Sequence, residues 1–180
     1  MERYWKLIKV ERKFKDHVLN IDHKYYKFLK NGEIQPFCSI NTKNWVVVIP
    51  VTDTDKFVLV RQFRFAVEAT TLEFPGGAID FDEPHSLAAV RELEEETGYK
   101  SDDVRYLGFV HPNPAILSNK CHIYVAYNCR NIGKTSFDKF EDIEIILMDE
   151  TEFKENLINN KITHSIVVAA YTKYLLSKDQ

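Results

Sequence analysis

Residues 45–51 (WVVVIPV) and 57–65 (FVLVRQFRF) form two dense apolar runs that lie twelve positions apart in register and are separated only by TDTDK. Runs of this length, rich in Val, Ile and aromatics and joined by a polar turn-forming segment, read as neighbouring strands in the core of a sheet. Residues 84–97 follow as the clearest helix: Pro84 stands where a first turn tolerates proline, and Gly98 stands where helices commonly end. Further strands are expected near residues 104–110, 122–127 and 143–148. Two more helices close the chain. One starts at Asp149 as N-cap; the other spans 163–177, with Ile166, Val167, Ala170, Tyr174 and Leu175 along one face. The first 40 residues read as β structure. Asn31-Gly32 between YYKFLK and EIQPF suits a tight hairpin turn in which both central positions take positive φ. Strands, a helix, more strands and then helices predict an α/β domain of α+β character on a mixed sheet.

The chain has 180 residues, which suits one hydrophobic core with room for an appended element, and its 44% hydrophobic and 28% charged composition suits a globular fold. A net charge of -3 provides no field that would hold a polyanion, so nucleic acid is not an expected partner. Cys38, Cys121 and Cys129 form no CxxC pair and are odd in number, which fits a reducing compartment and argues against zinc. The N-terminal segment is charged every few residues, and no apolar run approaches the roughly 20 residues needed to cross a bilayer. The expectation is a cytoplasmic protein with no membrane partner.

The segment GAIDFDEPHSLAAVRELEEETGY, residues 77–99, carries the chemistry. At about 100° per residue, Glu92, Glu95 and Glu96 share a narrow arc while Val90, Leu93 and Thr97 lie opposite. Like charges three and four apart on a helix repel by a few tenths of a kcal/mol per pair, so the arrangement costs the isolated helix stability. A divalent cation reverses that sign. Carboxylate oxygens without His or Cys suit a hard ion such as magnesium. Ala88 and Ala89, beside the acidic arc, are expected to leave room for an ion and a ligand. A run of glutamates alone is most often a solvated helix face; the residues around this one decide otherwise.

The segment resembles the Nudix box, G-x5-E-x7-R-E-U-x-E-E-x-G-U with U apolar, at Gly77, Glu83, Arg91, Glu92, Leu93, Glu95, Glu96 and Gly98, with Tyr99 in place of the usual aliphatic last residue. The resemblance implies a loop–helix–loop catalytic element in an α/β/α sandwich over residues 42–180, preceded by an N-terminal β extension over residues 1–41. It further implies that Glu92, Glu95 and Glu96, with the main-chain carbonyl of Gly76, bind Mg2+, or Mn2+ in its place. Arg91 and Glu83 would orient that cluster. The implied reaction is hydrolysis of a diphosphate linkage, with Glu141 in the loop before the 143–148 strand as the matching base ahead of Asp138 and Asp142, and Glu95 as the next choice.

The substrate must be read elsewhere. LVRQFRFAVEATTLEFPGG, residues 59–77, is similar to the lead-in of the ADP-ribose and nucleoside diphosphate sugar branch, and Pro114, sixteen residues after Gly98, stands near that branch's marker proline. Arg64, with Arg61, would then contact the phosphates, unless it is simply a strand-edge arginine paired to an acid. Glu73 would reach the metal or the ribose. Asn113 and Asn119 would line the sugar pocket, although both are equally good turn formers. Trp45 is the preferred base-stacking residue ahead of Trp5, Tyr25 and Tyr26, against the alternative of core packing. His164 reads as a capping or packing residue. The branch commonly exchanges N-terminal strands between subunits, so a homodimer is expected. The products would be a nucleoside monophosphate and a sugar phosphate. The rival readings are a clean-up (d)NTP pyrophosphohydrolase and a nucleotide-sensing Nudix module without catalysis.

Overall fold

The computed structural model describes residues 2–137, 140 and 142–178. By contact density the chain forms two compact units, one of Met1–Lys43 with His111–Lys120 and one of Asn44–Val110 with Cys121–Gln180. No helix among the described residues is long and apolar enough to cross a membrane.

The first unit is an antiparallel sheet of β1 (Trp5–Lys15), β2 (Leu19–Phe28) and β3 (Ile34–Thr42) in the order β1-β2-β3. Segment 111–120 attaches to β3 through a bridge between Ile40 and Leu117, with the Ile40 amide donating to Ile116 O at 2.7 Å. The Asn31-Gly32 turn differs from the two-residue form predicted. Residues 29–33 connect the strands, and Gly32 alone takes positive φ, +82°. Asn31 acts through its side chain instead: its Oδ1 accepts from the Glu33 amide at 3.1 Å and its Nδ2 donates to Glu33 Oε2 at 2.8 Å. Asparagine's capacity to bond backbone two residues on replaces its tolerance of left-handed φ.

The second unit is built on a mixed seven-stranded sheet. Its strands are β4 (Trp45–Thr52), β5 (Phe57–Arg64), β6 (Ala69–Glu73), β7 (Tyr99–Lys100), β8 (Asp103–Val110), β9 (Cys121–Asn131) and β10 (Ile143–Met148). The order is β10-β5-β4-β9-β7, with β6 on β5 and β8 on β9. Among the described strands of this sheet, only β4 and β9 pair in parallel. The helices are α1 (His85–Thr97), α2 (Glu150–Ile158) and α3 (Ser165–Ser177). The β4 run is continuously apolar because both its faces are covered. Val46 and Val48 pack with Ala88, Ala89 and Leu93 of α1, whereas Val47, Ile49 and Val51 pack with residues such as Phe153 of α2 and Val167 and Ala170 of α3. Side chains alternate across a strand, so one run feeds two cores and produces the expected α/β/α sandwich. Fully burying each such Val, Ile or Phe contributes about 1.5–3 kcal/mol.

Helix boundaries follow their caps. Gly98 ends α1 in the left-handed region, φ +66°, its amide donating to Glu94 O at 2.9 Å. Asp149 caps α2 by accepting from the Glu152 amide at 2.8 Å, as its position predicts. The last helix begins at Ser165, two residues later than predicted, because His164 is its N-cap. Its buried face carries Tyr171 as well as Ile166, Val167, Ala170 and Tyr174.

Candidate active site on the acidic face of α1

The Pro75-Gly76-Gly77 loop after β6 lies directly against β4: the Val48 amide donates to Pro75 O and the Val46 amide to Gly77 O, both at 2.9 Å. Backbone leaves no space for a side chain at Gly76, whereas at Gly77 the neighbour is the end of the Glu92 side chain. A Cβ on Gly76 would stand 2.2 Å from Val46 O and 2.8 Å from Val47 Cα. A Cβ on Gly77 would stand 2.5 Å from Glu92 Oε1. The loop is thereby wedged between the central strand and the glutamates of α1, and the Gly76 amide donates to Glu96 Oε2 at 2.8 Å. Glu96 is only 5% exposed, so this backbone amide is what makes its burial tolerable.

Arg91 organises the remaining carboxylates. Its Nε and Nη2 grip the two oxygens of Glu83, each at 2.9 Å, while Nη1 donates to Glu92 Oε1 at 2.8 Å and Glu95 Oε2 at 3.1 Å. Nη2 also reaches Ala78 O at 3.2 Å. The Glu83 fork, then Glu92 and Glu95, hold the guanidinium charged well above its ordinary range against the opposing effect of burial. Among the described residues no three His, Cys, Asp or Glu side chains converge as a metal cage. Glu92 and Glu95 turn instead to Arg91, a partition that the helical arc alone does not reveal.

Ala88 and Ala89 correct the expectation of an open flank. Both are fully buried in the core against Val46, Val48 and Val58. Their small size brings α1 close to the sheet instead of making room at the acidic face. The first turn of α1 is further fixed by a ring cluster that sequence reading did not find. His85 stacks on His122 at 4.2 Å and 11°, its Nδ1 is hydrogen-bonded to the Tyr124 hydroxyl, and the Tyr106 hydroxyl meets His122 Nδ1 at 3.0 Å. Burial, with Tyr106 beside it, pushes the Tyr124 phenol up to about 12.

Beside Gly76 lies a small pocket lined by Trp45, Arg64, Glu73, Phe74, Cys121 and His164, among others. Arg64 is paired, to an acid that is itself buried. Its Nε and Nη2 grip Glu73 Oε1 and Oε2 at 2.8 and 2.6 Å, and the Thr71 hydroxyl donates to Oε1 at 2.5 Å. Burial alone would raise the Glu73 pKa; the Arg64 fork outweighs it and holds the carboxyl below its usual range. Arg61 points elsewhere, to Glu144 at 2.7 Å on the exposed face of the β5–β10 pair. Spacing of three along a strand puts the two arginines on opposite faces.

Pro114 and Asn119 belong to the first unit. Pro114 is exposed at a turn. Asn119 is 6% exposed, donates through Nδ2 to Lys43 O at 3.3 Å, and offers its main-chain oxygen to His111 Nδ1 at 3.1 Å. Asn113 serves the turn, its carbonyl accepting from the amides of Ile116 and Leu117. Glu141 and Asp138 lie outside the described residues; Asp142 is exposed just before β10.

With loop, helix and glutamates placed, residues 42–168 match the NUDIX domain family. The chain belongs to the Nudix family. Relatives across most of its length include a methanol dehydrogenase activator from Bacillus methanolicus, 30% identical over 148 residues, which are 81% of this chain and 80% of that protein. An ADP-ribose pyrophosphatase from Bacillus subtilis is 29% identical over 153 residues, 84% of this chain and 82% of its own length. Among solved structures, an ADP compounds hydrolase superposes with a TM-score of 0.83 at 23% identity, covering 97% of this chain and 92% of that one. That last likeness is one of fold, and it matches the mixed sheet and the helices flanking it. This Nudix chain is thus a hydrolase of the family, its box helix set on the sheet by Ala88, Ala89 and Leu93.

Proposed function

We propose that this Nudix hydrolase cleaves the diphosphate linkage of ADP-ribose or a nucleoside diphosphate sugar with Mg2+, or Mn2+, releasing a nucleoside monophosphate and a sugar phosphate. The observation that carries the reading is the wedge of Gly76 and Gly77 against Glu96 and Glu92, where the atoms available to a metal are carboxylate and carbonyl oxygens. That donor set fits a hard divalent cation. Glu92, Glu95, Glu96 and the Gly76 carbonyl are the residues that would hold it. Glu95, whose side chain is 42% exposed, has room to turn from Arg91. When bound, the cation neutralises the diphosphate and positions the attacking water.

The chain's own residues supply the rest. Arg91 orients Glu92 and Glu95, and Glu83 keeps Arg91 in place. Arg64, held by Glu73 beside Gly76, binds the phosphates, and Trp45 in the same pocket offers its ring to the base. Glu141 takes the proton of the attacking water. The ADP-ribose pyrophosphatase relative supports the choice of substrate class. The same reading includes a homodimer formed through the first unit, whose sheet leaves Trp5, Leu7, Ile8, Val10 and Phe37 more than 40% exposed.

The test is incubation of the purified protein and Mg2+ with ADP-ribose, GDP-mannose, UDP-glucose and dGTP, followed by product chromatography. AMP and ribose phosphate from ADP-ribose, abolished by EDTA, are expected. Inorganic diphosphate from dGTP as the main product would overturn the reading in favour of a clean-up triphosphatase. Sedimentation velocity decides the dimer.

A further inference from the structure

His164 touches both a helix terminus and the Arg64 anchor. Its Nδ1 accepts the Ile166 amide at 3.2 Å as the N-cap of α3, and its Nε2 faces Glu73 Oε2 at 3.7 Å. The two contacts constrain each other. As acceptor of the Ile166 amide, Nδ1 fixes the plane of the ring, and that orientation turns Nε2 to the Glu73 side. At 3.7 Å the contact is longer than a direct hydrogen bond. His164 therefore acts on Glu73 by closing the Oε2 side of its carboxylate.

That matters because Arg64 is useful only while it is aimed. A free arginine side chain samples many rotamers, and any ligand contact must overcome that entropy. Here the entropy is already lost to the Glu73 fork. Glu73 is 3% exposed and sits opposite Val60 in the β5–β6 register, so Arg64, opposite Ala69, reaches back along the hairpin to meet it. The Glu73 carboxylate holds that line because Thr71 fixes Oε1 and His164 backs Oε2. The loop carrying Gly76 follows three residues on, and the same pocket wall contains Trp45.

We propose that His164 is a positioning residue for substrate binding: through Glu73 it keeps the Arg64 guanidinium aimed at the diphosphate. This rests on the functional reading above, in which Arg64 contacts the phosphates. The role lies ninety-one residues in sequence from the acid it supports, and capping alone does not account for it, since Asn or Ser would cap equally well.

The test separates the two roles. His164→Asn keeps a capping acceptor and removes the group facing Glu73; His164→Ser does the same if the first variant folds poorly. KM for the best substrate of the panel is expected to rise about five- to tenfold with kcat within twofold, and the Kd for ADP, read by calorimetry without turnover, to rise in parallel. In an Arg64→Lys background, where there is no fork to hold, His164→Asn is expected to change KM by less than twofold. Unchanged KM and Kd, a fall in kcat at constant KM, or the same rise in both backgrounds each overturns the proposal. A wild-type protein that cleaves nothing on the panel overturns the functional reading instead, and the ADP Kd then decides on His164 alone.

Discussion

Gly76→Ala and Gly77→Ala separate the structural from the chemical use of the glycine loop. A Cβ at position 76 would stand 2.2 Å from Val46 O, where ordinary contact begins at 3.4 Å, and its three nearest neighbours are all backbone of the central strand. The loop must therefore move by about 1 Å. Overpacking of this kind costs roughly 1–3 kcal/mol. The shift also strains the pairs Val48 N to Pro75 O and Val46 N to Gly77 O, at about 0.5–1.5 kcal/mol each. A total of roughly 2–6 kcal/mol corresponds to a fall in Tm of roughly 4–24 °C for a domain of this size. Because the Gly76 amide and carbonyl move too, turnover should drop by about a hundredfold, the usual consequence of misplacing a group by 1 Å. At Gly77 the added carbon meets only the end of the Glu92 side chain, which can swing aside. Tm should then change by less than about 3 °C, while displacement of Glu92 still lowers kcat by about tenfold or more. Differential scanning calorimetry and initial rates on both variants are sufficient. Equal stability losses in the two, or a Gly76→Ala protein with wild-type Tm and rate, would refute the wedge.

Other outcomes follow from the same geometry. Glu96→Gln keeps an acceptor for the Gly76 amide, and Glu95→Gln keeps a contact with Arg91; each should lower turnover by about a hundredfold or more with Tm nearly unchanged, and near wild-type rates in both would remove the metal from this face. Glu141→Gln should depress kcat by about tenfold with KM little changed and Asp142→Asn much less, so equal small effects would return the base to Glu95. Glu150 meets burial, which raises its pKa, but Lys178, Lys154 and Tyr171 outweigh it and hold the carboxyl at about 2. A depressed folded-state pKa stabilises the protein above its unfolded value of 4.5 and ceases to do so as pH falls toward 2. The stability gap between wild type and Glu150→Gln in urea titrations should thus be present at pH 7 and close between pH 4.5 and 2; a gap independent of pH would exclude the ion-pair origin.

Local sequence was sufficient for the elements whose signals are local. The β4 and β5 runs, the α1 stop at Gly98, the Asp149 cap and the 143–148 strand depend on neighbours within a few residues, and the spacing of Glu92, Glu95 and Glu96 follows from helical geometry alone. β6 was not legible: ATTLE is short and weakly apolar, and it becomes a strand by pairing with β5. Only the tertiary structure decided which side of α1 Ala88 and Ala89 serve, because periodicity cannot tell a flank left open for a ligand from one closed on a sheet. It also decided that Asn31 turns the chain through its side chain, and that segment 111–120 joins β3 across seventy residues. The partners of the ionised residues were the least legible. Arg91 spans Glu83, Glu92 and Glu95, Arg64 takes Glu73, and Glu73 meets His164. Charge pairing is set by distance in space and by what is buried with it, and a linear pattern fixes neither until strands from distant parts of the chain lie side by side.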